Sequence, residues 1–152
     1  MSLDQTDKNI LRTIQTNSGL TAADLGERLN MSASQAGRRR QRLEAEGYIT
    51  HYGAHLDATK LGLSVQGFVQ VQMAAHAEDI AKSFSRLVEL QPEIINAWIL
   101  TGQADYLLHI YCTDLAAMNR FIQEVLLAHD AVARVESQIV MDALKTNAPL
   151  PV

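Results

Sequence analysis

The sequence predicts an α+β chain in two parts: an N-terminal winged helix-turn-helix with its linker over residues 1–61, and a C-terminal ferredoxin-like βαββαβ domain over residues 62–152. Three observations carry that reading. Short stretches before residue 46 place apolar residues at helical spacing. The last of them, Asn30-Met31-Ser32-Ala33-Ser34-Gln35-Ala36-Gly37-Arg38-Arg39-Arg40-Gln41-Arg42-Leu43, opens with a turn and a cap, then sets four arginines within five residues. Beyond residue 64 the rhythm changes to strands alternating with two amphipathic helices.

Leu3 to Gln15 reads as a helix capped by Asp4, with Asp7 in its first turn and Ile10, Leu11 and Ile14 as its stripe. Asn17-Ser18-Gly19 is a turn. Thr21, followed by Asp24, opens a second short helix whose inner residues are Leu25 and Leu29. Asn30 turns the chain into the arginine helix, capped by Ser32. From there residues 36, 40 and 43 share one face and 34, 35, 38 and 42 the other, with Arg39 at the edge. Gly47 is a C-terminal cap. Tyr48–Tyr52 and Ala54–Leu56 flank Gly53 and predict a small hairpin wing. Residues 57–64 are the boundary.

In the second part Val65–Ala74 alternates as a strand, and Glu78–Leu90 is a helix ended before Pro92. Ile94–Thr101 and Asp105–Cys112 are strands joined by the tight turn Gly102-Gln103-Ala104. Asp114 caps a helix reaching Leu126, and Val132–Met141 is the last strand. The tail from Asn147 is extended. Each strand brings apolar residues to both sides of the sheet, as in Tyr106–Tyr111. One face takes the helices, and the other predicts a partner, most simply a second copy about a two-fold axis.

Composition bounds the function. Apolar residues make up 47% and charged residues 20% of 152, the values of a soluble globular protein. One cysteine, Cys112, excludes an internal disulfide and a multi-cysteine zinc site. The five histidines, 51, 55, 76, 109 and 129, show no metal-ligand spacing, and no nucleophilic triad spacing appears, so neither metal, cofactor nor catalytic residue is assigned. The start of the chain has no signal-peptide apolar region and no apolar run reaches spanning length. A cytoplasmic protein without a membrane partner is expected. The net charge of −4 is unevenly divided: residues 1–61 hold eight Lys/Arg and seven Asp/Glu, and residues 62–152 hold five and ten. Arginine forks and a glutamine amide on an exposed helix suit phosphates and base edges in a major groove, and affinity for phosphates follows the local array of charge.

These motifs resemble the Lrp/AsnC (feast/famine) transcription regulators. The resemblance runs through essentially the whole chain, on Leu3-Asp4 with Asp7 and Ile10-Leu11, on Met31–Ser34 with Arg39, Arg42-Leu43-Glu44 and Gly47-Tyr48-Ile49, and on Thr101-Gly102-Gln103-Ala104-Asp105-Tyr106. It implies a transcription regulator that binds double-stranded DNA. Its second domain, of the RAM type, would dimerise through its sheet and take a small effector, usually an amino acid. The homodimers would assemble further, commonly to octamers. By resemblance the DNA contacts are Ser32, Ser34, Gln35, Arg38 and Arg42, with Arg39 contacting phosphate or bracing the fold. The effector turn is Thr101, Gly102, Gln103, Ala104 and Asp105, with Ser137 on the last strand where the family often has threonine. A glycine turn can offer N–H groups to an α-carboxylate and Asp105 can take an α-ammonium; alternatively Gly102 permits a hairpin that Asp105 caps.

Two residues depart from the family pattern. Arg40 stands where an apolar residue usually faces inward, and must snorkel outward or pair with Glu44. Gly37 lies mid-helix, at about 1 kcal/mol against alanine. Two other functions compete with gene control: a siroheme-decarboxylase-like enzyme of the same architecture, and an effector-binding or assembly module without DNA affinity.

Overall fold

The computed structural model describes residues 3–75 and 77–152. His76 lies outside them. The chain divides into one compact unit of residues up to His55 together with Leu144–Val152, and a second of Leu56–Ala143.

The first unit holds three helices: α1 (Gln5–Thr16), α2 (Ala22–Arg28) and α3 (Ala33–Ala45). Each begins with a complete capping box, Asp4 with Asp7, Thr21 with Asp24 and Ser32 with Gln35. Orphan N–H groups of each first turn are therefore satisfied within the sequence that starts the helix. The helices close on Ile10, Leu11, Ile14, Leu20, Leu25, Ala36 and Leu43. Ile10, Leu25 and Leu43 are fully buried, at about 1.5–3 kcal/mol each. The α2–α3 turn is drawn tight by the Met31 N–H donating to the Gly26 carbonyl at 2.9 Å. A Cβ on Gly26 would stand 2.7 Å from the Met31 carbonyl oxygen, so only glycine lets the two helices meet this closely.

The hairpin wing is not formed. Residues 50–56 carry no strand pairing among the described residues. Ile49 packs on the helical core, and Tyr52 is drawn onto α3 by its polar end. The side-chain alternation there reports contacts to a helix, which period alone does not distinguish from contacts to a strand. The tail also departs from its expected place after the second domain, since residues 144–152 pack with the first unit.

The second unit runs β1 (Val65–Met73), α4 (Glu78–Leu90), β2 (Ile94–Ile99), β3 (Tyr106–Cys112), α5 (Leu115–Arg120) and β4 (Val132–Ile139). After α5, Phe121–Leu126 continues as a wide π turn, with the Leu127 N–H reaching back to Ile122. The four strands pair antiparallel in the order β2-β3-β1-β4, which is the ferredoxin-like arrangement expected from the element order. Val69 sits opposite Leu108 and Ser137, and Val71 opposite Tyr106 and Val135, which fixes the faces of β1, β3 and β4. Val69, Val71, Met73, Leu108, Ile110 and Cys112 bury against Phe84 of α4 and against Met118, Phe121 and Leu126.

The other face is mixed, not apolar as the strand composition suggests. β1 presents Gln66, Phe68, Gln70 and Gln72, and β4 presents Arg134, Glu136 and Gln138 opposite the last three. On β3 the ring of His109 stacks on Phe68 at 4.6 Å and lies 5.4 Å from Tyr111. Gln66 Nε2 is 2.6 Å from His109 Nε2. That amide hydrogen bond needs a lone pair on the ring, and burial lowers the His109 pKa in the same direction.

Candidate nucleic-acid interface and effector turn

The arginine helix is sorted by carboxylates. Asp7, on α1, is 1% exposed. Its Oδ1 accepts from Arg39 Nη1 at 2.8 Å, and its Oδ2 pairs with Arg42 Nη2 at 2.5 Å. Arg39 Nη1 also donates to Asp4 Oδ2 at 2.6 Å. The Asp4 carboxyl is held below its ordinary pKa, first by the backbone N–H of Asp7 and then by the Arg39 guanidinium. Asp4 and then Asp7 raise the Arg39 pKa in return. One short acidic turn at the head of α1 thus fastens two of the arginines and with them the orientation of α3. Arg42 also has Nε 3.9 Å from Glu46 Oε1.

Arg40 faces the opposite way. Its Nη1 donates to the Leu20 carbonyl at 2.8 Å, and its Nε donates to Glu44 at 3.1 Å and to the Tyr52 hydroxyl at 2.9 Å. Its guanidinium carbon lies 4.7 Å from the centre of the Tyr52 ring. Burial works against the Arg40 charge, but the bonds to Tyr52 and Glu44 outweigh it and raise the pKa. The Tyr52 hydroxyl and Arg40 lower the Glu44 pKa. The pairing with Glu44 is therefore present, and the Leu20 carbonyl and Tyr52 complete it. Gly37 also faces inward: a Cβ there would sit 3.4 Å from Ala22 Cβ of α2.

What remains outward is a narrow stripe. Ser32, Ser34, Gln35, Arg38 and Gln41 are exposed. Residues 34, 38 and 41 fall on one line at helical spacing. Among the described residues Arg38 makes no ion pair, in contrast to Arg39, Arg40 and Arg42. Ser32 and Gln35 are engaged with each other's backbone through the capping box. Gln35 Oε1 is taken by the Ser32 N–H, so Nε2 is the part of its amide outside the capping box. Gln41 was not among the contacts expected from the sequence, although its spacing from Ser34 and Arg38 is the signal that would have found it.

The turn between β2 and β3 is latched to β1. The Asp105 N–H donates to the Val71 carbonyl at 2.9 Å, its carboxylate accepts the Met73 N–H at 2.7 Å, and its carbonyl accepts the Leu100 N–H at 2.8 Å. Gly102 takes φ +118°, a left-handed backbone that a side chain would strain. Thr101, Gly102 and Gln103 are exposed. Gln103 and Ala104 border a depression on the open sheet face with Gln70, Gln72, Arg134 and Glu136. Asp105 lines a different hollow, with Met73, Ile99 and Tyr106. Ser137 pairs with Val69, which assigns it to the helix-covered face at the β4 edge. The six residues expected to bind an effector are thus not gathered into one cavity within a single chain. Among the described residues there is no group of His, Cys, Asp and Glu able to hold a metal ion, and no helix is long and apolar enough to cross a membrane.

Comparison with known proteins covers both units. A family model described as the Lrp/AsnC ligand binding domain matches residues 66–150, and one described as winged helix-turn-helix DNA-binding matches residues 3–50. The Bkd operon transcriptional regulator of Pseudomonas aeruginosa is 30% identical, over 98% of this chain and 97% of its own. The glutamate uptake regulatory protein of Zymomonas mobilis is 32% identical, over 98% of this chain and 90% of its own. A transcriptional regulator of Neisseria meningitidis, solved as its L-Met complex, is 35% identical with a TM-score of 0.94, covering 99% of this chain and 97% of that one.

Proposed function

The chain belongs to the Lrp/AsnC family of DNA-binding transcriptional regulators, and from that premise we propose that α3 reads DNA through the stripe of Ser34, Gln35, Arg38 and Gln41. The exposure of that stripe, beside arginines already committed to carboxylates, is the observation that carries this reading. Arg38 supplies a guanidinium for a guanine edge or a phosphate, and the glutamine amides suit adenine. The Ser32 hydroxyl donates to a phosphate at the helix start while its oxygen caps α3. Arg39 and Arg42 serve recognition by holding the helix on Asp4 and Asp7. Two copies of α3 on a homodimer would meet two half-sites of a duplex. Further assembly to an octamer, and a cytoplasmic location, follow the family.

The effector is an amino acid. A zwitterion needs an anion partner and a cation partner side by side, and Arg134 with Glu136 supply both beside Gln103 and Ala104. The L-Met complex of the Neisseria meningitidis protein supports this class of ligand. Asp105 acts as the latch that positions the turn; Ser137 and Thr101 stand apart from that depression, and the site is completed where subunits meet.

The test is a gel shift on the DNA upstream of the chain's own gene, with and without each amino acid, alongside calorimetry. Binding of L-Met or another amino acid that moves the shift, and loses affinity in Arg134→Ala, supports the reading. Specific DNA binding that no amino acid alters would remove the effector part. Failure to bind any DNA specifically would remove the α3 assignment.

A further inference from the structure

Residues 144–152 follow β4 in the chain yet pack with the helical unit. The contact is built on one glutamine. Gln15 of α1 accepts the Leu150 N–H through Oε1 at 2.6 Å and donates from Nε2 to the Leu150 carbonyl at 3.3 Å. One side-chain amide therefore takes both backbone groups of one residue, as a neighbouring strand would. Pro149 and Pro151 have no N–H, so Leu150 carries the sole donor of that Pro-Leu-Pro run. The Leu150 side chain is left in solvent at 73% exposure. Val152, two residues on, turns back and packs against the core of the three helices. Leu150 and Val152 form part of the wall of an open hollow that Leu11, Ile14, Tyr48, Ile49 and Tyr52 also line.

We propose that the α1 surface around Gln15, at the rim of this hollow, is a peptide-docking site on the DNA-binding unit, and that its occupant is the chain's own segment Pro149–Val152. Backbone recognition at Leu150, an apolar anchor at Val152 and two prolines that preset the backbone form a short docking motif with little freedom left to lose. The docked segment makes the chain pass between its two units twice, near residues 55–56 and 143–144. It is a second tether on the recognition helices, and releasing it leaves a single connection.

Amide exchange in the full chain tests the docking, and does not depend on the DNA reading above. One net hydrogen bond protects the Leu150 amide by roughly 10-fold over an unstructured chain. Gln15→Ala should abolish that protection while the Ile10 amide stays protected. A labelled peptide of residues 146–152 should bind a chain ending at Asn147, bind the intact chain far more weakly because its own segment already engages Gln15, and fail to bind Gln15→Ala in the shortened chain. An unprotected Leu150 amide in the full chain overturns the proposal, and so does equal capture of the peptide by the intact and shortened chains. If the shortened chain does not fold, the exchange result in the full chain decides. With docking established, the tether predicts that Gln15→Ala weakens specific DNA binding several-fold; unchanged affinity overturns the tethering role alone.

Discussion

Replacing the buried Asp7 by alanine should loosen the DNA-binding unit more than removing any other of its carboxylates. The carboxylate is 1% exposed and receives Arg39 and Arg42 from α3 and, at 3.2 Å, the Asp4 N–H. Charged hydrogen bonds contribute about 1.5–3 kcal/mol each. Both arginine side chains are about one-third exposed, at 32% and 38%, so water takes up much of what the carboxylate releases and the lower end applies to each. Losing half of a capping box adds about 0.5–1 kcal/mol. The total is about 3.5–4 kcal/mol, a large share of a stability on the order of 5–15 kcal/mol. Native-state amide exchange at Leu43 in the middle of the cluster reads it directly: about 3.5–4 kcal/mol corresponds to exchange faster by several hundred-fold. A double-mutant cycle with Arg42→Ala should return a coupling of about 1–2 kcal/mol. A loss below about 0.5 kcal/mol, or no coupling, would refute the claim that Asp7 fastens the recognition helix.

The remaining expectations concern pH and packing. The Asp4, Asp24 and Glu44 pKa values are all lowered in the fold; their stabilisation is complete above the ordinary carboxylate values near 4 and is lost as pH falls through the depressed ones. Circular dichroism should therefore show the helical unit melting progressively below about pH 4, and acid-independent helicity would contradict it. Burial depresses the His109 pKa, so its contribution is full above the ordinary histidine value of about 6.5 and declines as pH falls below it. Trp98 fluorescence in urea titrations should show the sheet weakening from pH 7 to 5, and His109→Phe should flatten that dependence. Gly37→Ala should raise the thermal midpoint, by up to about 1 kcal/mol in stability, because the new methyl meets Ala22 at an ordinary contact distance. It should leave DNA affinity unchanged, since that edge faces α2; a drop in affinity would place Gly37 against DNA instead.

Much of this architecture could be read from local signals. Asp4, Thr21 and Ser32, each followed three residues later by Asp or Gln, mark all three helix starts, and each cap is present. Alternation in β1 gave its inward set, Val69, Val71 and Met73, because period and burial coincide there. The fate of the arginines was not legible. Helical spacing put Arg42 on the outer face, but the long side chain reaches Asp7 from its edge, and which carboxylate lies within reach is a tertiary fact. The missing wing has the same origin: Tyr52 is held by Arg40 and Glu44 across eight to twelve residues, which no alternation pattern records. The turn between β2 and β3 was recognisable from Gly102 and Asp105, yet its residues face different hollows, because a hairpin turn carries neighbouring side chains to opposite sides of the sheet.

The division of labour among the arginines is tested most directly by the salt dependence of DNA binding. Fluorescence anisotropy across a salt series, on an operator found upstream of the gene, compares wild type with Arg38→Ala and Arg42→Ala. A phosphate contact made by Arg38 predicts a log–log slope shallower by about 0.9 in Arg38→Ala, and a base contact predicts a loss of about 1–3 kcal/mol. Arg42→Ala, its charge already engaged by Asp7, should keep the wild-type slope while losing stability. Wild-type slope and affinity in Arg38→Ala, with a shallower slope in Arg42→Ala, would contradict the account.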